Sequence, residues 1–181
     1  MNRNALSLCC AATIVCVLAS ASVSAQKQKR EPLTEKQQEE IAEAGIDPVA
    51  RVDLYVKYLN EHADTIKGLT KRAQSPARGS RIEGELEDFT ALMDELSENL
   101  DVFAGRKADI RKSMKPLAEG IKQWLEILNA LPKERAFGVA LDEAIESGND
   151  LDAQAKQIRN DQDAYFKANP GEKGQDRYEP K

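Results

Sequence analysis

Apolar residues recur along this chain at alternating spacings of three and four residues, a pattern typical of amphipathic helices packed side by side. The pattern occupies four stretches, which follow Pro48, Ser80, Gly105 and Pro132. The repeating positions are Val52, Tyr55, Leu59, Ile66, Leu69 and Ala73 in the first stretch; Ile82, Leu86, Phe89, Met93, Leu96, Leu100 and Phe103 in the second; Ile110, Met114, Leu117, Ile121, Trp124, Leu128 and Leu131 in the third; and Phe137, Leu141, Ala144, Gly148, Leu151, Ala155, Ile158 and Tyr165 in the fourth. The sequence therefore predicts four long helices.

Two polar residues, His62 and Gln162, occupy positions of the repeat that are otherwise apolar. Further apolar residues, such as Leu92 and Leu125, widen each apolar stripe beyond the contact of a single helix pair. We therefore expect an all-α fold: an up-down-up-down four-helix bundle with coiled-coil-like seams.

Capping and helix-breaking residues separate the four stretches. Asp47 precedes Pro48 as an N-cap followed by a proline at the first helical position, and Ser80 and Glu83 have the spacing of a capping box. Pro132 is expected to end the third helix and to open the fourth, because proline is tolerated only in the first turn of a helix.

The connection between the second and third helices has two interpretations. The apolar repeat runs through Gly105 without a change of phase, which is compatible with one continuous rod. A hairpin at Gly105 would place Glu98 opposite Lys112 and Glu95 opposite Lys115, although such surface pairs contribute little. The width of the apolar stripes favours the hairpin, because a rod could not cover them.

The fourth helix and the tail contain helix-breaking residues. Gly148-Asn149-Asp150 predicts a kink, or a stop and restart of the helix. Asn169-Pro170-Gly171 begins a polar stretch, so residues 168–181 are predicted to form a disordered tail. The bundle domain is accordingly expected to span residues 47–167.

Residues 1–25 have the pattern of a cleaved signal peptide. Arg3 precedes an apolar run from Ala5 to Leu18, and Val23-Ser24-Ala25 supplies the small residues of a cleavage site. An uncleaved anchor is the alternative, but the apolar run is short for a membrane span. The cysteines, Cys9, Cys10 and Cys16, all lie in this segment. We therefore expect a secreted or periplasmic chain without disulfides and without membrane insertion after cleavage.

The composition after residue 25 limits the kinds of partner. Removing residues 1–25, which contain Arg3 and no acidic residue, leaves 156 residues with 25 basic and 31 acidic side chains, a net charge of −6. This charge argues against a general affinity for nucleic acid or for anionic lipid.

His62 is the single histidine of the chain, and this limits the chemistry that the sequence predicts. A di-iron bundle requires two Glu-x-x-His pairs, and covalent haem requires Cys-x-x-Cys-His; neither is present. A haem held by His62 with Met93 or Met114 is an alternative, but methionines in a seam are usually core residues. We expect no catalytic, cofactor or metal site, and His62 to fix helix register rather than to bind a ligand or sense pH.

Two blocks of like charge stand out. One contains eight acids and no base: Glu83, Glu85, Glu87, Asp88, Asp94, Glu95, Glu98 and Asp101. The other contains five bases and no acid: Lys67, Lys71, Arg72, Arg78 and Arg81. Solvated helix faces are the simplest interpretation. The alternatives are a basic tip for an anionic partner and an acidic face for cations or a basic client.

Residues 26–46 are expected to contain a short leading helix, because Thr34 and Gln37 have the spacing of a capping box and Gly45 can end the helix. The sequence Leu33-Thr34-Glu35-Lys36-Gln37 also resembles the Leu-Thr-x-x-Gln motif of small all-helical periplasmic chaperones and stress regulators of the bacterial envelope. The resemblance covers five residues, without a second copy of the motif, and implies an envelope location.

These observations favour a non-enzymatic, exported helical bundle that acts as a structural, adaptor or chaperone-like module with a protein partner that the sequence does not identify. The alternative is a ligand-, metal- or haem-binding bundle that uses the interior around His62. The oligomeric state is not determined by the sequence.

Overall fold

The structure, a computed structural model, describes residues 31–45 and 47–172 of the chain. Within these ranges it has five helices and no strand: α1 (Glu35–Glu43), α2 (Pro48–Thr70), α3 (Pro76–Gly105), α4 (Arg111–Asn129) and α5 (Gly138–Ala168). The all-α prediction is confirmed. The predicted signal peptide and residues 173–181 of the predicted tail lie outside the described residues.

Helices α2 to α5 form the bundle, and successive helices run in opposite directions. Tyr55, early in α2, bonds Glu95, late in α3, whereas His62, late in α2, contacts Glu85, early in α3. The α2–α3 pair is therefore antiparallel. The α4–α5 pair is antiparallel as well, because Gln162 near the end of α5 bonds the residues that lead into α4.

The consecutive helices α3 and α4 lie at diagonal corners of the bundle. Helix α2 packs against α3 and α4, and α5 packs against the same two helices. The α2–α4 pair is parallel, because Ser113 bonds the carbonyl of Val49 and Trp124 bonds Asn60. The loop from α3 to α4 thus crosses the end of the bundle rather than joining neighbours.

The hairpin interpretation of the α3–α4 connection is confirmed. Helix α3 ends at Gly105, and Lys107 adopts a left-handed conformation with φ of 58° before α4 begins. The expected pairing of Glu98 with Lys112 and of Glu95 with Lys115 is wrong, because the diagonal arrangement separates α3 from α4. Glu95 instead accepts a hydrogen bond from Tyr55 of α2.

The start of α2 matches the prediction and the start of α3 does not. Asp47 caps α2 by accepting hydrogen bonds from the backbone of Val49 and Ala50 at 3.0 and 3.1 Å. The predicted capping box at Ser80 is wrong: α3 begins at Pro76, and Ser75 is its cap. Ser75 and Pro76 already supply an N-cap and a first-turn proline, so Ser80 lies inside the helix.

Helix α5 begins later than predicted and runs without a break. Residues 131–137 form a loop, and Pro132 does not open the helix; Phe137 at the end of this loop is buried. The helix does not stop and restart at Gly148-Asn149-Asp150. Glycine serves close packing there, because a Cβ atom on Gly148 would lie 2.9 Å from Cδ2 of Leu125 on α4.

The predicted seam matches the observed core with four exceptions. Ala73 lies beyond the end of α2 and is exposed, and Leu131 lies beyond the end of α4 and is only partly buried. Phe166 rather than Tyr165 is buried in α5, and Ala63 occupies the core beside His62. A repeat with a period of 3.5 residues drifts around a helix with 3.6 residues per turn, so neighbouring positions exchange roles.

Candidate functional site

The leading helix α1 lies antiparallel on the outer face of α2. Leu33 and Ile41 are buried against the bundle. Glu40 accepts hydrogen bonds from Tyr58 and, at 3.3 Å, from Lys57. The hydrogen bond from Tyr58 is the main cause that holds the pKa of Glu40 below its ordinary value, and Lys57 contributes as well. The segment is thus attached by two apolar side chains and several polar contacts.

The predicted capping box of α1 is confirmed, and so is the turn at Gly45. The hydroxyl oxygen of Thr34 accepts from the backbone nitrogen of Gln37 at 3.3 Å, and the side chain of Gln37 accepts from the backbone nitrogen of Thr34 at 2.9 Å. Gly45 has a φ of 58°, which favours glycine. The Leu-Thr-x-x-Gln stretch therefore has a structural role, in which Leu33 anchors and Thr34 caps.

His62 lies where the leading segment meets α2 and α3. Its Nδ1 atom is 3.1 Å from Oε2 of Glu85 on α3, and its Nε2 atom is 3.1 Å from the carbonyl oxygen of Pro32. The side chain is 15% exposed. His62 therefore links two other parts of the chain, as expected of a residue that fixes packing, but at the edge of the bundle rather than in its interior.

A surface cleft opens beside His62, between the leading segment and the helices α2 and α3. Its volume is about 390 Å³. The described lining residues are Glu31, Pro32, Leu33, Thr34, Gln37, Glu61, His62, Thr65, Glu85 and Asp88. Four of these are acidic and none is a lysine or an arginine. The described lining is therefore strongly negative.

Neutral side chains of α1 contact two acids of the cleft, Glu31 of the leading segment and Glu61 of α2. Glu31 accepts a hydrogen bond from the amide of Gln38 at 2.6 Å, and Glu61 accepts one from the amide of Gln37 at 3.0 Å. An amide donor leaves the charge of a carboxylate in place and occupies one of its roughly four lone-pair directions. These two carboxylates therefore keep both charge and acceptor capacity.

The acidic block of α3 is not simply a solvated face. Glu85 faces His62, Glu95 accepts from Tyr55 at 2.6 Å, and Asp94 accepts from Ser147 at 2.9 Å. Burial, reinforced by the contact with Glu95, raises the pKa of Tyr55 to about 12. Several of these carboxylates therefore join α3 to α2 and α5, which the residue pattern alone could not distinguish from solvation.

The basic block divides into a structural residue and an exposed tip. Arg78 is buried, pairs with Glu134 of the α4–α5 loop, and donates to the carbonyl oxygens of Thr70 and Arg72 at 3.4 and 3.2 Å. This contact joins the two loops at one end of the bundle. The fold thereby places Lys133 and Arg135 at the exposed tip as well, although both are distant from the basic block in the sequence.

The three residues of the haem alternative have different surroundings. Met93 and Met114 are buried in the core, whereas both ring nitrogens of His62 contact oxygen atoms at the edge. Among the residues that the structure describes, no group of three or more histidine, cysteine, aspartate or glutamate side chains is arranged to hold a metal ion. No helix in the same residues is long and apolar enough to cross a membrane.

Fold and site together define an all-helical protein, a four-helix bundle with a short fifth helix that closes one side of an acidic cleft. Comparisons with protein-family models, with curated proteins and with solved structures find no match. Glu31 and Glu61 were not singled out by the sequence, because the cleft exists only once residues 31–34 fold onto α2.

Proposed function

We propose that this chain is a non-enzymatic interaction module of the cell envelope, exported by a cleaved signal peptide, which binds a basic segment of a protein partner in the cleft beside His62. The observation that carries the proposal is the described lining of the cleft, which holds Glu31, Glu61, Glu85 and Asp88 and no basic side chain. Opposite charge favours both encounter and orientation of such a partner.

The size and chemistry of the cleft suit lysine and arginine side chains. A volume of about 390 Å³ accommodates side chains of this kind rather than a folded domain. Lysine offers three donors and arginine five, and carboxylates accept both. Glu31 and Glu61, contacted by neutral amides, are the expected ion-pair partners.

The polar side chains inside the bundle have structural roles. Trp124 donates to Asn60, Gln162 bonds the backbone before α4, and Ser113 donates to the carbonyl oxygen of Val49. Each of these contacts joins two elements of the fold. Glu31 and Glu61 of the cleft, in contrast, are exposed to solvent.

The test is titration of a lysine- and arginine-rich peptide, followed by calorimetry and by NMR chemical-shift changes. We expect binding that shifts the signals of Glu61 and His62 and weakens as salt rises from about 50 mM, because exposed charges are screened. The same peptide with each basic residue replaced by glutamine should not bind.

Matched variants locate the site. Glu31→Gln with Glu61→Gln should reduce the affinity, whereas Glu119→Gln with Glu126→Gln should not, because the latter pair is exposed on α4, away from the cleft.

A second control concerns the basic residues of the chain itself. Lys27, Lys29 and Arg30 shortly precede Glu31 in the sequence, so the assay is repeated with these three changed to glutamine to remove a competing basic segment. Equal loss in both pairs of variants would reject the cleft, and signal changes confined to Lys71, Arg72, Lys133 and Arg135 would assign binding to the basic tip.

A further inference from the structure

The two hydrogen-bond partners of His62 are both acceptors. The carbonyl oxygen of Pro32 can only accept, so Nε2 must carry a proton to bond it at 3.1 Å. The ionised carboxylate of Glu85 can also only accept, so the contact at 3.1 Å with Nδ1 needs a second proton on the ring. A neutral imidazole carries one N–H and can make one of these bonds.

We infer that His62 and Glu85 form a proton-dependent latch that holds the leading segment, residues 31–45, against the bundle. The docked arrangement with both bonds holds one proton more than neutral histidine beside ionised glutamate. That proton belongs to the coupled pair, whether it is assigned to the ring or to the carboxyl group. When it is lost, the one remaining N–H stays on Nδ1 with the charged acceptor Glu85, the Nε2 lone pair faces the carbonyl oxygen of Pro32, and that contact breaks.

The sign of the effect follows from proton linkage. The docked segment binds the extra proton and the released segment does not, so docking is favoured at low pH and weakens as pH rises. The charged groups around the ring are Glu31 from the leading segment, Glu61 from α2, and Glu85 and Asp88 from α3. All four belong to the described lining of the cleft, and all four are acidic.

The position of the pair makes the latch selective for the leading segment. Pro32 is two residues from Thr34, the cap of α1, and Leu33 between them is one of its two buried apolar anchors. Helix α1 has nine residues, too few to be stable without packing. Loss of the bond to Pro32 therefore weakens the attachment of α1, while α2 to α5 keep their own core.

The same proton controls the charge of the cleft, a consequence that rests on the proposed function. Deprotonation makes the cleft more negative by one charge. A basic segment should therefore bind more tightly at about pH 7.5 than at about pH 5.5. The latch itself requires no ligand and is tested without one.

The experiment is amide hydrogen exchange of the purified protein without peptide, at about pH 5.5 and about pH 7.5, where histidine titrates and ordinary carboxylates do not. After correction for intrinsic exchange, protection of the α1 amides should fall about tenfold between the two values, because a charge-assisted hydrogen bond is lost. Protection in α5 should stay constant. Unchanged protection in α1 would overturn the inference.

Two variants and one direct observation complete the test. In Glu85→Gln the amide can donate to Nδ1, so neutral His62 keeps both bonds and the pH dependence of α1 should vanish. His62→Gln should remove it as well, with a lower protection at both values. Because His62 is the single histidine, its ¹⁵N ring signals report directly whether both nitrogens are protonated at the acidic value. A singly protonated ring there, or a Glu85→Gln variant with unchanged pH dependence, would contradict the latch while leaving peptide binding to be judged by its own titration.

Discussion

The side-chain amide of Gln162 donates a hydrogen bond to the carbonyl oxygen of Ala108, 2.7 Å away and fully buried. The oxygen of the same amide accepts from the backbone nitrogen of Ile110 at 3.2 Å. Helix α4 has no side-chain N-cap of its own. Gln162 therefore satisfies the backbone of the loop that crosses the end of the bundle.

Replacing Gln162 with leucine should destabilise the protein by about 3 kcal/mol, because a buried donor and a buried acceptor each lose their partner. The measurement is the free energy of unfolding in urea. Gln157→Leu, on the exposed side of the same helix, is the control and should change it little. Equal values for the two variants would show that the loop finds other partners.

Trp124 is the core anchor that the seam predicted. It is 2% exposed, its ring meets Phe89 edge-on at 5.9 Å, and its Nε1 atom donates to Oδ1 of Asn60 at 2.7 Å. Trp124→Ala should cost about 3–5 kcal/mol through the cavity that it leaves. Asn60→Ala should cost about 1 kcal/mol, because it removes only the partner of the indole N–H.

The fluorescence of this single tryptophan provides an independent check of its burial. Emission should be blue-shifted in the native protein and move to the red during unfolding. Native emission similar to that of indole in water would contradict burial of Trp124.

Two glycines should respond to alanine in opposite directions. A Cβ atom on Gly79 would lie 2.7 Å from Cβ of Ala136, a rigid contact between the start of α3 and the α4–α5 loop, so Gly79→Ala should destabilise by about 1–3 kcal/mol. A Cβ atom on Gly68 of α2 would meet nothing within 4 Å. Gly68→Ala should therefore stabilise by about 0.5–1 kcal/mol, through helix propensity. Thermal melting of both variants tests the pair, and a shift of the same sign would be inconsistent with this packing.

The bundle should lose stability in alkali through Tyr55. Burial and the hydrogen bond to Glu95 raise the pKa of Tyr55 to about 12 in the folded state. A group whose pKa is raised by folding contributes stability that is present below its unfolded value of about 10 and is lost as pH rises through its folded value. Urea midpoints between these limits should fall more steeply for the wild type than for Tyr55→Phe. Parallel curves would exclude Tyr55 as the cause.

The helices of the bundle were predictable because the spacing of apolar residues over a few turns defines the buried side of each helix. Leu86, Met93 and Leu100 of α3 recur every seven residues, which places them on one face of the helix, and all three are buried. Helix ends were predicted less well, because two alternatives compete within a few residues. Ser75 caps α3 although Ser80 has the fuller capping signature, since Ser75, a suitable cap followed by Pro76, lies five residues earlier in the sequence.

The cleft could not be predicted from the sequence. His62 stood out as a polar residue in an apolar repeat, but Glu85 is 23 residues away and Pro32 is 30 residues away along the chain. Contacts over such separations depend on where α1 docks and on which helices become neighbours.

The sequence by itself determined the all-α class, the bundle and the core role of Trp124, because periodicity and capping act over a few residues, and it favoured a hairpin at Gly105 over a continuous rod. The tertiary structure decided that α3 and α4 lie diagonally, that Gln162 serves a loop, and that His62 joins Glu85 to Pro32. The physical reason is that an amphipathic stripe indicates which face of a helix is buried but not which other helix packs against that face. That choice is made by close contacts between distant residues, such as Gly148 against Leu125, whose fit no local pattern encodes.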